Sequence, residues 1–144
     1  MILNRLMTEE DIPWLRELFL RRYPKNFDEL ATRGWFVNVV LRQPLLFAAI
    51  RSSDAFVITM LSASPWTPTL FEANVVCVCV DDRVPGAVWQ CVGLLRGSVY
   101  WARLRKCVAW RCSSDTDFDI APMVFRIGGE ENSPRFVINL EYDK

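Results

Sequence analysis

Apolar and polar positions along this chain follow two different periods, and these periods predict a mixture of helices and strands. Strands are predicted over 2–7, 45–51, 55–62, 75–80, 108–112 and 136–142. Helices are predicted from Thr8, over 28–41 with an interruption near Gly34, from Ala87 and over 119–127. The second and third strands are joined by Ser52-Ser53-Asp54, which is typical of a hairpin.

The most informative stretch is a predicted strand, turn and helix in the middle of the chain. Val75 to Val80 is an unbroken β-branched and cysteine run, short and apolar enough for a strand that is covered on both faces. Pro85 suits a first helical turn, and Gly86 allows the backbone to come close to a neighbouring group. Unpaired N–H groups at the start of a helix attract phosphate. Most such turns bind nothing, however, so the spacing alone leaves the question open.

The residues of this turn resemble a known cofactor-binding loop. The segment from Val80 to Val88 resembles the acyl-CoA loop of the GNAT superfamily of N-acyltransferases, whose pattern is Gln/Arg-x-x-Gly-x-Gly/Ala. Arg83 and Gly86 match the first two fixed positions, whereas Val88 stands where the family has Gly or Ala. The resemblance implies acetyl-CoA as cofactor, with pyrophosphate at the loop and pantetheine along the strand before it. The implied cofactor-binding residues are Val78, Cys79, Val80, Arg83, Val84, Pro85, Gly86, Ala87 and Val88.

The order of elements supports the same resemblance over nearly the whole chain. Arg5 followed by Thr8-x-x-Asp11-Ile12 resembles the first strand-to-helix connection of GNAT proteins, and 123–129 resembles their last helix. We therefore expect one domain over 1–144 of the α/β (α+β) class. It would have a mixed, mostly antiparallel central sheet flanked by helices, in the order β-α-α-β-β-β-α-β-α-β.

The resemblance also implies catalytic groups for moving an acetyl group to an amine. Such a reaction needs a base for the ammonium, a donor to the carbonyl and an acid for the thiolate. The donor would be a backbone N–H between Val78 and Val80, and Glu72 is the candidate base, although a glutamate at a strand end is equally common as a solubilising residue. The acid is commonly a tyrosine four residues before the glycine that ends the last helix. Here those positions hold Val124 and Phe125, which leaves Asp115 or Tyr100 as substitutes.

The composition limits the remaining chemistry. The chain has 144 residues, 51% of them hydrophobic, so it can bury a full core. There is no histidine, which removes the commonest general base and the commonest transition-metal ligand. Seventeen basic residues balance seventeen acidic ones, so we expect neither a nucleic-acid nor a membrane partner.

The five cysteines suggest neither a disulfide framework nor a metal site. They are odd in number and contain no Cys-x-x-Cys pair, and Cys77 and Cys79 are expected to be small core residues of one strand face. No apolar run approaches the length of a membrane span. We therefore expect a cytoplasmic protein, whether in a cell or in a phage-infected host.

One side of the long helix points to a different class of function. Trp89, Gly93, Gly97 and Tyr100 lie on this side, and the two glycines would admit a close neighbour, from another subunit or from within the monomer. Together with the departures at Val88 and at the acid position, this leaves an alternative to the acyltransferase. The alternative is a catalytically silent GNAT-fold assembly protein, such as a tailed-phage virion or tail adaptor component that forms homo-oligomers or binds protein partners.

Overall fold

The structure is a computed structural model that describes residues 4–22, 29–63, 69–113, 119–132 and 135–140. In chain order, the strands are β1 (Arg5–Leu6), β2 (Phe47–Arg51), β3 (Ala55–Ala63), β4 (Phe71–Val80), β5 (Ala109–Ser113), β6 (Glu130–Asn132) and β7 (Arg135–Asn139). The α-helices are α1 (Ile12–Arg22), α2 (Glu29–Trp35), α3 (Gln90–Leu104) and α4 (Ala121–Arg126).

All seven described strands form one sheet in the order β1-β2-β3-β4-β5-β7-β6. β4 and β5 are parallel, and the other five neighbouring pairs are antiparallel. This arrangement confirms the predicted class and the predicted order of elements. One strand was not foreseen, because Gly128 and Gly129 are followed by the short β6, which pairs with β7 before the chain continues.

The sheet separates two hydrophobic cores. On one face, α3 and α4 pack against buried residues of β3, β4, β5 and the segment after β7, with Leu95 and Trp110 fully buried. On the other face, α1 and the turn after α2 cover β2, β3 and the C-terminal half of β4, with Leu18 and Phe56 at the centre. The predicted apolar sides of the helices thus serve opposite faces of the same sheet.

The first helix begins as its polar residues predict. Asp11 accepts a hydrogen bond from the backbone N–H of Thr8 at 2.8 Å, and a 3₁₀ turn over Glu9–Asp11 leads into α1. The second predicted helix is divided near the expected position: α2 ends at Trp35, and a π-helical turn continues over Phe36–Leu41.

Polar contacts fix α3 relative to the sheet. At its first residue, Gln90 Nε2 donates to Asp54 Oδ2 at 2.8 Å and Gln90 Oε1 accepts from the N–H of Asp54 at 3.0 Å. In its middle, buried Ser98 accepts a hydrogen bond from Trp110 Nε1 at 2.8 Å and lies 2.5 Å from Thr59 Oγ1. Because the β2–β3 turn holds its first residue, the loop that precedes α3 is anchored at its C-terminal end.

Candidate active site

The parallel strands β4 and β5 pair over four residues each, and β5 is described as far as Ser113. Their register runs from Glu72 opposite Ala109 to Val75 opposite Cys112 and goes no further. On the other side of β4 the ladder with β3 continues to Val80, but it shifts by one residue, since Ile58 lies opposite Cys77 and Thr59 opposite Val75. Val76 is the extra residue of this β-bulge and is 44% exposed.

The C-terminal half of β4 extends beyond the described part of β5. Over 76–80, the edge of β4 that faces away from β3 has no strand partner within the described residues. Its backbone N–H and C=O groups can pair with an extended ligand, as an edge strand pairs with a peptide. The bulge at Val76 follows directly after the last pair of the ladder with β5, and such a bulge bends a strand locally.

The loop after β4 folds as a compact turn. Gly86 adopts a left-handed conformation with φ of 77°, which glycine accepts without steric cost. A Cβ atom at this position would meet no heavy atom within 4 Å, so the space beside Gly86 is open. The N–H groups of Val84, Ala87 and Trp89 bond to Asp81, Val84 and Gly86 carbonyl oxygens, whereas the N–H of Gly86 has no acceptor within the described residues.

The side chains of the predicted cofactor-binding residues point mainly into the protein. Cys79, Val80 and Ala87 are buried, and Val78, Val84 and Val88 pack against the core beneath α3. Pro85 and Gly86 are exposed, as is the side chain of Arg83. The Val88 side chain is partly buried and packs against this core, so part of its branched group is directed away from the surface of the loop.

The predicted base lies on the face of the sheet opposite α3, at the first pair between β4 and β5. Glu72 is 7% exposed, and its carboxylate binds Arg111 through two contacts, Nε to Oε2 at 3.1 Å and Nη2 to Oε1 at 3.2 Å. Two residues further on, Asn74 Nδ2 donates to Ser62 Oγ at 2.7 Å on the same face. Glu72 is therefore part of a polar strip across β3, β4 and β5 that precedes the bulge.

The positions that would supply a general acid do not supply one. Val124 is fully buried and Phe125 is half-exposed, and neither carries a transferable proton. Tyr100 is exposed on α3, and α3 covers the face of the sheet opposite to Glu72, so the sheet separates the two side chains. Asp115 lies outside the described residues.

The two glycines of α3 contact the protein itself. A Cβ at Gly93 would lie 2.7 Å from Asn4 Nδ2, and one at Gly97 would lie 3.3 Å from Ile50 Cδ1. This agrees with the alternative that the glycines serve packing within the monomer. Trp89 and Tyr100 on the same side of the helix are exposed.

All five cysteines are free, and Cys79, Cys91, Cys107 and Cys112 are buried. Burial raises the pKa of Cys77, Cys91 and Cys112 to about 12 and that of Cys107 to about 11, because the apolar surroundings disfavour the thiolate. These thiols are packing residues rather than nucleophiles. In the described part of the chain, no helix combines the length and apolar character needed to cross a bilayer.

Several residues of the site were not singled out from the sequence. Asp81, the first residue after β4, is one of them, and its carboxylate binds Arg21 of α1 and Arg83 of the loop. Arg111 and Asn74 are polar residues inside otherwise apolar strands, and this was the one signal that could have found them. The bulge at Val76 has no signal in the sequence.

Comparison with solved structures identifies the class of fold. The chain has the fold of the GNAT N-acetyltransferases, and the predicted resemblance is confirmed at that level. No family model matches the sequence, and no curated protein matches it.

Three solved structures illustrate the likeness. The ribosomal-protein-alanine N-acetyltransferase of Brucella melitensis is 16% identical, with a TM-score of 0.69 over 96% of this chain and 99% of that chain. A chain of the NatC complex bound to Gag peptide and CoA is 9% identical, with a TM-score of 0.71 over 96% and 98%. A Brucella melitensis GNAT family acetyltransferase in complex with acetyl-CoA is 11% identical, with a TM-score of 0.64 over 100% and 91%. At these identities the likeness concerns the fold.

Proposed function

We propose that this protein is an acyl-CoA-dependent N-acyltransferase that moves an acetyl group from acetyl-CoA to an amine. One observation carries the proposal: β4 continues past its last described pair with β5, passes through a bulge at Val76, and leads directly into a turn with Arg83 and an open left-handed Gly86. An unpaired strand edge followed by a glycine turn and a helix start offers hydrogen-bond donors and acceptors to an extended, phosphate-bearing ligand.

The residues present fit such a cofactor. The backbone of Val78, Cys79 and Val80 would hold the pantetheine arm, and the loop from Arg83 to Val88 would hold the pyrophosphate. The free space beside Gly86 and the inward packing of Val88 support this assignment. When bound, acetyl-CoA supplies the acyl thioester.

In this proposal Glu72 removes the proton from the acceptor amine. Its place on the strand that would hold the pantetheine arm, four residues before the bulge, supports this role, and its two contacts with Arg111 hold the carboxylate in one orientation. Since Arg111 occupies both oxygens, a water molecule would relay the proton from the amine to Glu72. With Val124 and Phe125 at the acid positions, CoA would leave as the thiolate, which a thiol can do near neutral pH.

Cofactor binding is tested by thermal unfolding and calorimetry with acetyl-CoA and CoA. We expect saturating ligand to stabilise the protein, by about 2.7 kcal/mol at a hundred times the dissociation constant. Gly86→Trp should abolish binding by filling the open space. Gly128→Trp is the matched control, because Gly128 also has positive φ and open surroundings. The cofactor assignment is wrong if wild-type protein does not respond to millimolar acetyl-CoA, or if the two variants bind it equally.

The role of Glu72 is tested by acetyl transfer to a panel of small amines and peptides. Glu72→Gln keeps the shape of the side chain and should lower kcat about a hundredfold, with little change in acetyl-CoA binding. Asn74→Ala, on the same strand face, is the control for disturbance of the polar strip. A Glu72→Gln enzyme with the wild-type kcat would exclude Glu72 as the base.

A second candidate function is that of an assembly protein that uses the outward side of α3. The observation that favours it is the exposure of Trp89, Tyr100 and Leu104 along one helix. Light scattering after size-exclusion chromatography should then show a defined oligomer that Tyr100→Glu dissociates. A monomer at high concentration that also binds acetyl-CoA would argue for the enzyme alone.

A further inference from the structure

The last residue before the loop connects three separate parts of the molecule. Asp81 is 8% exposed, and its backbone N–H donates to the carbonyl oxygen of Asp54 in the β2–β3 turn at 2.7 Å. Its carboxylate accepts from Arg21 Nη1 of α1 at 3.1 Å and from Arg83 of the loop. A carboxylate held from several directions has little freedom to rotate.

Three contacts join this carboxylate to Arg83. The backbone N–H of Arg83 donates to Asp81 Oδ1 at 3.1 Å and fixes the start of the loop as an Asx turn. The guanidinium donates from Nε to Oδ1 and from Nη2 to Oδ2, both at 3.3 Å. Asp81 thus sets both the backbone and the side chain of the residue that matches the first fixed position of the loop pattern.

The way in which Arg83 is held leaves it able to bind a second anion. Its side chain is 61% exposed even though one edge of the guanidinium faces Asp81. Within the described residues, no hydrogen bond uses Nη1. A guanidinium has five N–H donors in a planar fork, so the edge formed by Nη1 and Nη2 can still meet a phosphate.

An exposed arginine without a contact like that of Arg83 with Asp81 would sample many rotamers, and it would lose this conformational entropy when it binds a ligand. Holding the side chain in advance removes part of this entropy cost from the binding step. Arg21 contributes indirectly, because its bond to Asp81 Oδ1 comes from α1 and limits movement of the carboxylate away from the loop.

We propose that Asp81 is a positioning residue for cofactor binding, which holds Arg83 ready to meet a phosphate of CoA. This inference rests on the proposed function, since it concerns the same cofactor site. It assigns a favourable role to a carboxylate close to an anion-binding loop, where simple charge repulsion would predict the opposite.

The experiment is calorimetric titration of CoA into wild-type protein, Asp81→Asn, Arg83→Gln and the double variant. Asp81→Asn keeps an oxygen for the backbone N–H of Arg83 but loses the charged double contact, and we expect its Kd to rise about tenfold. In the Arg83→Gln background the same change should have no further effect. Asp119→Asn is the matched control, because Asp119 accepts a similar hydrogen bond from Ala121 N–H at 3.1 Å outside the loop.

The outcomes separate this inference from the proposed function. If wild-type protein fails to bind CoA at millimolar concentration, both are wrong. If it binds, and Asp81→Asn binds equally or more tightly, only the positioning role is wrong. If Asp81→Asn lowers the affinity for CoA equally in the presence and absence of Arg83, Asp81 acts on the fold in general. This result too would overturn the inference. Thermal unfolding without ligand identifies any variant that does not fold.

Discussion

Two carboxylates in this protein, Asp11 and Asp81, each bind two arginines. The two clusters differ in the length of these contacts and in how far neighbouring groups enclose the arginines. Asp11 accepts from Arg5 at 2.7 and 2.9 Å and from Arg51 at 2.9 Å, and it also receives the N–H of Thr8. The contacts of Asp81 with its two arginines are longer, between 3.1 and 3.3 Å.

The arginines of the two clusters also differ in how much of each side chain is exposed. The Arg51 side chain is 11% exposed, and its guanidinium carbon lies 3.6 Å from the centre of the Trp14 ring. The Arg83 side chain is 61% exposed, and that of Arg5, the second arginine of the Asp11 cluster, is 48% exposed. The clusters therefore differ mainly in Arg51, which neighbouring groups enclose and which joins β2 to the start of α1.

The largest expected effect concerns stability. Arg51→Ala removes a nearly buried guanidinium that bonds to Asp11, Ser52 and Ser53, so we expect the free energy of unfolding to fall by about 3 kcal/mol. Arg83→Ala, at an exposed position, should lower it by less than about 0.5 kcal/mol. Urea denaturation of both variants measures the two losses of unfolding free energy. Similar losses would mean that the clusters do not differ as proposed.

The next effect is the pH dependence of that stability. The pKa of Asp11 is lowered from 3.8 to about 2, first by the Arg5 hydrogen bonds, with Thr8 N–H and Arg51 adding and desolvation opposing. Because the pKa of Asp11 is lower in the folded state than in the unfolded state, the carboxylate stabilises the folded protein at pH values above its unfolded-state pKa. This contribution, about 2 kcal/mol, is lost as the pH falls from about 4 to about 2.

Asp11→Asn is the variant that tests this pH dependence. Its unfolding free energy should change less than that of the wild type between pH 5 and pH 2, as measured by urea denaturation at several pH values. Asp119→Asn, at an exposed position, is the control and should retain the wild-type slope. A wild-type slope in Asp11→Asn would contradict the assignment.

A smaller effect concerns the ligand. Arg83→Ala should raise the Kd for CoA about tenfold, because a charge-assisted contact to phosphate is lost. Arg5→Ala removes an arginine of the other cluster and should leave the Kd unchanged. Isothermal titration at fixed salt compares the two variants, and equal affinities would show that Arg83 has no special access to the cofactor.

The smallest effect concerns the aromatic ring beneath Arg51. Trp14→Phe keeps an aromatic ring but weakens the contact with the guanidinium, and it should cost about 0.5 to 1 kcal/mol of unfolding free energy. CoA binding should not change. A loss above about 2 kcal/mol would instead point to the packing of Trp14 against Phe56, whose ring centre is 5.7 Å away.

Much of the fold could be predicted from the sequence, and less of the candidate site. The apolar run Val75 to Val80, the Thr8 to Asp11 helix start and the turn at Gly86 are local patterns, and the structure has each of them. Glu72 was the candidate base because the resemblance implies a glutamate on or near this strand and Glu72 is the one present, but its pairing with Arg111 joins residues 39 positions apart. Whether Glu72 and the loop act as proposed remains a prediction.

The sequence by itself determined most of the elements and their order, because periodicity and turn chemistry act between residues a few positions apart. Its resemblance to the GNAT pattern indicated the class of fold, whereas β6 was not foreseen. Tertiary structure alone decided where β4 carries its bulge, since Val76 is the extra residue only in the register with β3. It also decided that Val88 packs inward, that Gly93 and Gly97 contact Asn4 and Ile50, and that Asp81 gathers Arg21 and Arg83. These features depend on groups distant in sequence that meet only when the sheet and its helices have formed.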